Sequence, residues 1–79
     1  MEFEWDEATR QSHAPRRGID FLNVILCFSD PQQLVEEDTR RDYEEQRFYL
    51  LCPLRGHLYH VAFTKRGQNI RIISVRRAN

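Results

Sequence analysis

The chain has few of the features that mark exported, membrane or metal-binding proteins. None of its 79 residues belongs to an apolar run of roughly 18 residues, the length that a membrane helix needs. Residues 1–10 hold four acidic side chains, where a secretory signal has basic residues followed by an apolar stretch. We therefore expect a cytoplasmic protein that makes no contact with a membrane.

Cysteine is scarce as well. Cys27 and Cys52 stand far apart in the sequence, and neither has a second ligand at the short spacing that is typical of a zinc site. Reduced thiols are the usual state of cysteine in the cytoplasm. We expect two buried, reduced thiols and no metal site.

The composition that remains predicts one small folded domain. Hydrophobic residues make up 41% of the chain and aromatic residues 11%, which favours a packed core, while 30% charged residues give an ionic surface. A core of this size is near the lower limit for independent folding, so a partner or a second copy would stabilise it. We expect a single domain over residues 1–79.

The net charge of zero hides an unequal distribution. Residues 1–53 hold all 12 acidic residues beside six arginines, a net charge of −6 (six minus twelve). Residues 54–79 hold six basic residues and no acidic one, a net charge of +6. This asymmetry predicts an anionic partner for the C-terminal third.

The N-terminal part predicts a short strand and two helices. Phe3 and Trp5 alternate with acidic residues, which is the period of a half-buried strand. Asp6 then caps a polar helix over residues 7–17, and Asp20 caps an apolar helix that begins at Phe21. The apolar helix carries a core-facing stripe widened by two leucines: Phe21, Val24, Ile25 and Phe28, with Leu22 and Leu26.

The C-terminal part predicts antiparallel strands. Residues 32–35 suit a weak edge strand, and a charged loop over residues 36–45 leads to three segments with a β pattern, at 46–54, 57–64 and 69–75. The predicted fold class is α+β, with a short N-terminal strand and two helices packed on one face of a small antiparallel sheet.

The last predicted strand combines apolar residues with arginines. Ile72, Ile73 and Val75 make its middle apolar on both faces, which indicates an interior strand that lines a concavity on the side away from the helices. Arg71 and Arg76 differ in parity along this strand, so only a twist or a bulge can bring them to one face.

The C-terminal arginines suit the binding of a phosphodiester. Arginine stays charged and donates paired hydrogen bonds to phosphate oxygens, so Arg66, Arg71 and Arg76 together could stabilise the charge of a cleavage transition state. Aromatic rings are expected to stack on a base, at Tyr59, Phe63 and Phe48. In the alternative interpretation, these arginines are solvated or paired with acids such as Glu44 and Glu45.

The histidines offer candidates for proton transfer. Either His57 or His60 could serve as a general acid or base, because imidazole titrates near neutral pH. The alternative places His60 as an ordinary residue of the core or sheet surface, and His13 as a residue of the helix surface.

Several segments resemble one known family, the BrnT toxins of type II toxin–antitoxin modules, which are similar in fold to RelE-type ribonucleases. The resemblance covers essentially the whole chain, in the same order and spacing. The segments that carry it are "FEWDEA" at 3–8, Gly18-x-x-Phe21, "FSDP" at 28–31, "EEQRF" at 44–48 and "TKRGQNIRIISVRRA" at 64–78.

The resemblance implies a metal-independent endoribonuclease that cleaves RNA, with the RNA 2′-hydroxyl as nucleophile, and so inhibits translation. It implies a BrnA-like antitoxin with a ribbon-helix-helix domain, so that DNA is bound only through the antitoxin. A homodimer or a toxin–antitoxin hetero-oligomer is expected, and no metal or organic cofactor. Relatives continue beyond the position of Asn79 into a basic helix that this sequence does not contain.

The resemblance also assigns residues. Arg66 occupies the arginine of the family's T-x-R step, Arg71 precedes I-I-S and Arg76 follows it, which implies that all three bind the phosphate and its transition state. Arg47, in the E-x-R step, is expected to orient or bind the substrate. Further RNA-binding candidates are Lys65, Arg77, Arg16, Arg17 and Tyr59.

The sequence departs from the family pattern near its N-terminus. Relatives have W-D-x-x-K-x-x-x-N-x-x-K-H-G, whereas here Thr9 replaces the lysine, His13 the asparagine, and Arg16-Arg17-Gly18 stands for K-H-G. Cys52 replaces a usual glycine. The proton carrier is therefore unassigned, with His13 and His57 as substitutes for the family histidine. A second interpretation follows, a noncatalytic toxin homologue that binds the antitoxin or nucleic acid.

Overall fold

A computed structural model describes residues 2–11, 21–29, 33–39 and 44–78 of the chain. Its elements, in chain order, are β1 (Phe3–Glu4), a helical segment α1 at residues 7–11, α2 (Phe21–Val24) continuing as a 3-10 turn (Ile25–Ser29), β2 (Val35–Glu37), β3 (Arg47–Leu54), β4 (His57–Arg66) and β5 (Asn69–Arg77). These elements confirm the α+β class.

Within the described residues, the five strands form one sheet in the order β1-β5-β4-β3-β2. Strands β2 to β5 pair antiparallel, as predicted, whereas β1 lies parallel to β5, with Phe3 beside Ile70 and Glu4 beside Arg71. The sheet is therefore mixed, and β5 is an interior strand between β1 and β4, as its apolar middle predicts. The edge strand β2 begins at Val35, three residues later than the start that the sequence predicts.

Two tight turns connect the three long strands. Arg55 and Gly56 join β3 to β4 with φ angles of 53° and 80°, the backbone that a two-residue hairpin requires because it matches the twist of the strands. Gly67, with φ 60°, serves the same purpose between β4 and β5. Both turns lie where the sequence predicts them.

The core lies on one face of the sheet, beneath α2. Its fully buried side chains come from α2 and from the three long strands, with the Phe28 ring packed edge-on against Phe63 at 5.0 Å. The buried members of this core are Phe21, Val24, Leu50, Cys52, Tyr59, Val61, Phe63, Ile70, Ile72 and Val75.

The core-facing apolar stripe of α2 and the 3-10 turn is narrower than predicted. After Val24 the helix tightens from an α-helix to a 3-10 turn, so its side chains no longer follow the 3.6-residue period on which the prediction was based. Leu22 and Leu26 are 49% and 79% exposed. The expectation that these two leucines widen the core-facing stripe is therefore wrong.

The expectation of two reduced thiols is also wrong. The 3-10 turn passes over β3, and Cys27 and Cys52 form a disulfide with their Cα atoms 5.7 Å apart. Sequence separation could not reveal this contact, because it depends on how α2 docks on the sheet.

The first helix begins as predicted. The Asp6 carboxylate accepts a hydrogen bond from the Thr9 backbone N–H at 2.9 Å, and the Asp6 carbonyl accepts one from Arg10 N–H at 2.9 Å, so Asp6 is the N-cap of α1. The predicted remainder of this helix, with His13, Arg16 and Arg17, and the Asp20 cap lie outside the described residues. No described helix has the length and apolarity needed to cross a membrane.

Candidate active site on the uncovered face of the sheet

A one-residue bulge in β5 determines which side chains share the face opposite α2. Ala62 pairs with Ser74 and Phe63 with Ile72, so Ile73 has no partner on β4. The burial pattern shows the same shift, because buried residues follow at an interval of two from Ile70 to Ile72 and then of three to Val75. The bulge restores Arg71 and Arg76 to a single face.

The four arginines to which the sequence assigns phosphate or substrate binding, Arg47, Arg66, Arg71 and Arg76, belong to that face by register. Arg47 and Arg71 flank Thr64 on either side, Arg66 lies two residues beyond Thr64 on β4, and Arg76 pairs with His60. We call this surface the arginine face. Its register positions are Glu4, Glu36, Arg47, Tyr49, Leu51, His60, Ala62, Thr64, Arg66, Asn69, Arg71, Ser74 and Arg76. All of them except Thr64 are half-buried or exposed.

The spacing divides the arginines into a cluster and an outlier. Neighbouring strands are about 4.8 Å apart, so the backbones of Arg47 and Arg71 are separated by roughly 10 Å across Thr64. Arg76 pairs with His60, which lies four positions along β4 from Thr64, so Arg76 is a further ~13 Å away along the sheet. Arg47, Arg66 and Arg71 therefore surround one point, while Arg76 stands beside His60.

Arg71 is held in place by the parallel strand. Glu4 lies beside it, with Oε1 at 3.5 Å from the Arg71 Nη1. The other Glu4 oxygen accepts a hydrogen bond from Asn69 Nδ2 at 3.1 Å. One carboxylate thus orients two neighbouring donors of β5.

Arg66 has a looser acidic partner. Its Nη2 lies 3.8 Å from Glu45 Oε2, and about half of each side chain is exposed. Glu44, Glu45, Arg47 and Arg66 line a concavity of ≈ 440 Å³ at this end of the sheet. The alternative interpretation of an arginine paired with an acid thus describes Arg66 in the free chain, although an exposed pair of this kind contributes only ~0–1 kcal/mol and exchanges readily.

A stacked pair of rings occupies the centre of the arginine face. The rings of Tyr49 and His60 lie 4.7 Å apart at 18°. Tyr49 donates its hydroxyl proton to Glu36 Oε2 at 2.6 Å. Tyr49 is not among the residues predicted from the sequence, although the alternation of Arg47, Tyr49 and Leu51 with the apolar residues of β3 is a signal that could have found it.

The aromatic residues predicted to stack on a base lie on the covered face. Tyr59 is 6% exposed and Phe63 1%, so neither presents a ring face to a ligand. Phe48 stacks on Phe63 at 5.7 Å and is covered by the Lys65 ammonium at 4.8 Å. The structure corrects the expectation for Tyr59: the parity that places Arg47 and His60 on the arginine face places Tyr59 in the core.

Two other predicted RNA-binding residues, Lys65 and Arg77, are not brought to the arginine face. Lys65 pairs with Ile70 and Arg77 with Tyr59, so both belong by register to the opposite face, where they are exposed near its margin. Arg16 and Arg17 lie outside the described residues.

The chemistry available on the arginine face is that of fixed cations and one imidazole. No group of three or more His, Cys, Asp or Glu side chains in the described part of the chain is arranged to hold a metal ion. Guanidinium donors stabilise charge on nonbridging phosphate oxygens, and imidazole can carry a proton at neutral pH. The arrangement suits the binding and cleavage of a phosphodiester.

A comparison with protein families agrees with this chemistry. A family model described as "Ribonuclease toxin, BrnT, of type II toxin-antitoxin system" matches residues 5–79. A search of curated proteins found no match.

Proposed function

This chain belongs to the BrnT family of ribonuclease toxins of type II toxin–antitoxin systems, and we propose that its arginine face is the surface that binds and cleaves RNA. The observation that carries the proposal is the bulge at Ile73, which brings both Arg71 and Arg76 to the face that also holds Arg47 and Arg66. Without this extra residue, a strand of the same sequence would direct Arg71 and Arg76 to opposite sides.

In the proposed reaction the RNA provides its own nucleophile. The 2′-oxygen attacks the adjacent phosphorus, the bond from phosphorus to the 5′-oxygen breaks, and the products carry a 2′,3′-cyclic phosphate and a 5′-hydroxyl. Arg76 and the cluster of Arg47, Arg66 and Arg71 bind nonbridging oxygens of neighbouring phosphates, and the guanidinium at the cleaved phosphate stabilises the negative charge that is concentrated there in the transition state. This chemistry requires no metal.

The acidic partners of the arginines support this role. In the free chain, Glu45 Oε2 lies 3.8 Å from Arg66 Nη2, and Glu4 Oε1 lies 3.5 Å from Arg71 Nη1. A phosphodiester offers the same guanidinium groups two oxygens in a geometry that suits a planar fork. Because the Arg66–Glu45 pair is exposed, RNA displaces this carboxylate at little cost.

The biological setting follows from the family. A type II system includes an antitoxin partner, and the substrate is RNA. We propose a BrnA-like antitoxin that covers the arginine face and alone contacts DNA. The resulting assembly is a toxin–antitoxin hetero-oligomer or includes a toxin homodimer, and in the cytoplasm RNA cleavage by the free toxin stops translation.

A second candidate function is a noncatalytic homologue that still binds the antitoxin. The replacement of the family's K-H-G by Arg16-Arg17-Gly18, with Thr9 and His13 at two other positions of the pattern, favours it.

Inducible expression in bacteria distinguishes the two functions. The chain, Arg71→Ala and the control Arg55→Ala, whose arginine lies in the turn from β3 to β4 away from the arginine face, are compared for growth, protein synthesis and new RNA 5′ ends. We expect arrest and new ends from the unaltered chain and from the control. Arg71→Ala should cleave ~10²-fold more slowly in a purified assay, because the RNA backbone is then held less well in the position for reaction.

The contrary result is equally definite. A folded, soluble chain that leaves RNA intact and binds the antitoxin is the noncatalytic homologue. Equal cleavage by Arg71→Ala would remove the arginine face from the reaction.

A further inference from the structure

The arginine face contains a histidine that the chain holds in a defined orientation. The His60 ring stacks on Tyr49 with ring centres 4.7 Å apart. Tyr49 is in turn tethered through its hydroxyl to Glu36 of the neighbouring strand β2. Three adjacent strands thus fix the imidazole plane, an arrangement that a solvated surface histidine does not have.

The groups around His60 are suited to a negatively charged substrate. Arg76 of β5 pairs with His60 on one side, and Leu51 of β3 pairs with it on the other. The titratable or charged groups that face His60 from the packed strands are therefore Arg76 and Tyr49, with Glu36 behind the tyrosine. A phosphate bound to Arg76 would lie beside the imidazole.

The other described groups of the arginine face are less suited to carry a proton. Arginine remains charged at any working pH. Glu4 is engaged by Arg71 and Asn69, and Glu36 by Tyr49. His57, the other described histidine, pairs with Leu54 and lies by register on the opposite face.

We propose that His60 is the proton carrier of this active site, an inference that rests on the proposed ribonuclease function. Neutral His60 takes the proton of the 2′-hydroxyl as the 2′-oxygen attacks phosphorus. The 5′-oxygen leaves and takes a proton from solvent water, and His60 then returns its proton to solvent. Arg76 binds the phosphate beside the imidazole, so the cluster around Thr64 holds the neighbouring part of the RNA backbone.

The test uses the purified chain and a fluorescein-labelled mixed-sequence RNA, with the 2′-O-methyl form of the same RNA as the binding probe. His60→Asn keeps a polar side chain of similar shape but cannot titrate. We expect it to lower the cleavage rate ~10²–10³-fold, the range for loss of a general base, and to leave binding of the 2′-O-methyl RNA unchanged. His57→Asn, the matched control on the same strand, should cleave as the unaltered chain does.

Two readouts separate proton transfer from a structural role. The kcat/KM of the unaltered chain should rise with pH as one group loses a proton, and this limb of the pH profile should disappear in His60→Asn. Added imidazole should restore part of the activity of His60→Ala. Circular dichroism checks whether His60→Asn and His60→Ala fold. If neither variant folds, the rise of kcat/KM with pH in the unaltered chain remains the test.

Each contrary outcome has a distinct meaning. Normal cleavage by His60→Asn, together with loss of cleavage in Arg71→Ala, overturns the role of His60 and leaves the ribonuclease function standing. A parallel loss of binding and cleavage without imidazole rescue makes the Tyr49–His60 pair a stacking platform for a base. A flat pH profile in the unaltered chain also overturns the inference. An unaltered chain that leaves RNA intact overturns both proposals.

Discussion

The arginines of the arginine face differ in how firmly the chain holds them. Arg71 lies on an interior strand, and Glu4 contacts it from the parallel strand β1. Arg66 lies at the end of β4 and is paired loosely with Glu45. Arg71 is therefore ordered before RNA arrives, whereas Arg66 must change partners. This difference makes Arg71 the more informative position for substitution.

Tyrosines 49 and 59 provide a direct test of the face assignment. Tyr59 is buried among core side chains, so Tyr59→Ala should lower the free energy of unfolding by about 3 kcal/mol, near the lower end for the truncation of a buried aromatic residue. Tyr49→Ala should cost much less stability and should slow RNA cleavage, because the ring that orients His60 is lost. Urea unfolding and the cleavage assay measure the two effects. Similar losses of stability in both variants would contradict the assignment.

Asp6 should make stability depend on pH. The hydrogen bond from the Thr9 backbone N–H, foremost, holds the pKa of this carboxyl below the ordinary aspartate value of 3.8, and the charge of Arg71 adds a smaller effect. A depressed pKa in the folded state means that the stabilisation is complete above the unfolded value and is lost as the pH falls through the folded value.

We therefore expect Asp6→Ala to lower the thermal unfolding midpoint by a few degrees at pH 7, with a smaller difference below the ordinary pKa of aspartate. Asp6→Asn is the control, because asparagine caps a helix without titrating. Its unfolding midpoint should stay close to that of the unaltered chain at pH 7. A pH-independent loss in Asp6→Ala would exclude the cap carboxylate as its cause.

At the scale of elements, the short helix and the sheet depend on each other. The α2 segment has one turn of α-helix and a 3-10 turn, too short to be stable alone. It is held by Phe21 and Val24 in the core and by the bond from Cys27 to Cys52. Burial and a covalent link therefore stabilise this element, and its intrinsic helix propensity contributes little.

The disulfide should contribute substantially to stability. It closes a loop with a sequence separation of 25, for which restriction of the unfolded chain gives about 3.5 kcal/mol. The double variant Cys27→Ser, Cys52→Ser should have a free energy of unfolding lower by that amount than the oxidised chain. It should therefore unfold at a lower urea concentration. The chain treated with dithiothreitol should approach the double variant. An unchanged urea midpoint after reduction would show that noncovalent packing alone holds α2.

The β5 bulge joins the requirements of the core to those of the arginine face. Ile72 and Val75 both reach the core although three positions separate them, because the unpaired Ile73 changes the parity of the strand. Arg71 and Arg76 consequently share the other face. Two buried side chains and two arginines therefore depend on one irregularity.

At the scale of the whole molecule, charge is distributed unequally between the two parts of the sequence, and the fold brings the parts together. Glu4 and Glu45, from the acidic part, contact Arg71 and Arg66 from the basic part. The arginine face is thus partly neutralised in the free chain. RNA binding replaces some of these contacts, which should make the affinity depend on salt.

The salt dependence of the affinity for RNA indicates how many phosphates the chain contacts. For single-stranded nucleic acid, each neutralised phosphate contributes a slope of about −0.7 to a plot of log affinity against log salt concentration. Three or four contacts on the arginine face predict a slope of about −2 to −3, and Arg71→Ala should reduce its magnitude by ~0.7. Anisotropy titrations of the 2′-O-methyl RNA over a range of potassium chloride concentrations measure the slope. A slope that Arg71→Ala leaves unchanged would show that this arginine makes no phosphate contact.

The sequence by itself determined the fold class, the interior position of β5, the Asp6 cap and the two hairpin turns. These features depend on local patterns, namely apolar periodicity, cap residues and glycine at positive φ, which act over a few neighbouring residues. The sequence also left two possibilities for Arg71 and Arg76. They lie on opposite faces of a regular strand, or they share one face of an irregular strand, because they differ in parity. The sequence could not choose between a twist and a bulge.

Only the tertiary structure decided the rest. The bulge at Ile73 exists because β5 must bury both Ile72 and Val75 against α2 and β4. The contacts between Cys27 and Cys52, Tyr49 and His60, and Glu4 and Arg71 join separate elements, and no local pattern encodes such distances. Periodicity determines which side of its own strand a residue occupies, whereas pairing between strands and the docking of the helix determine which residues meet there.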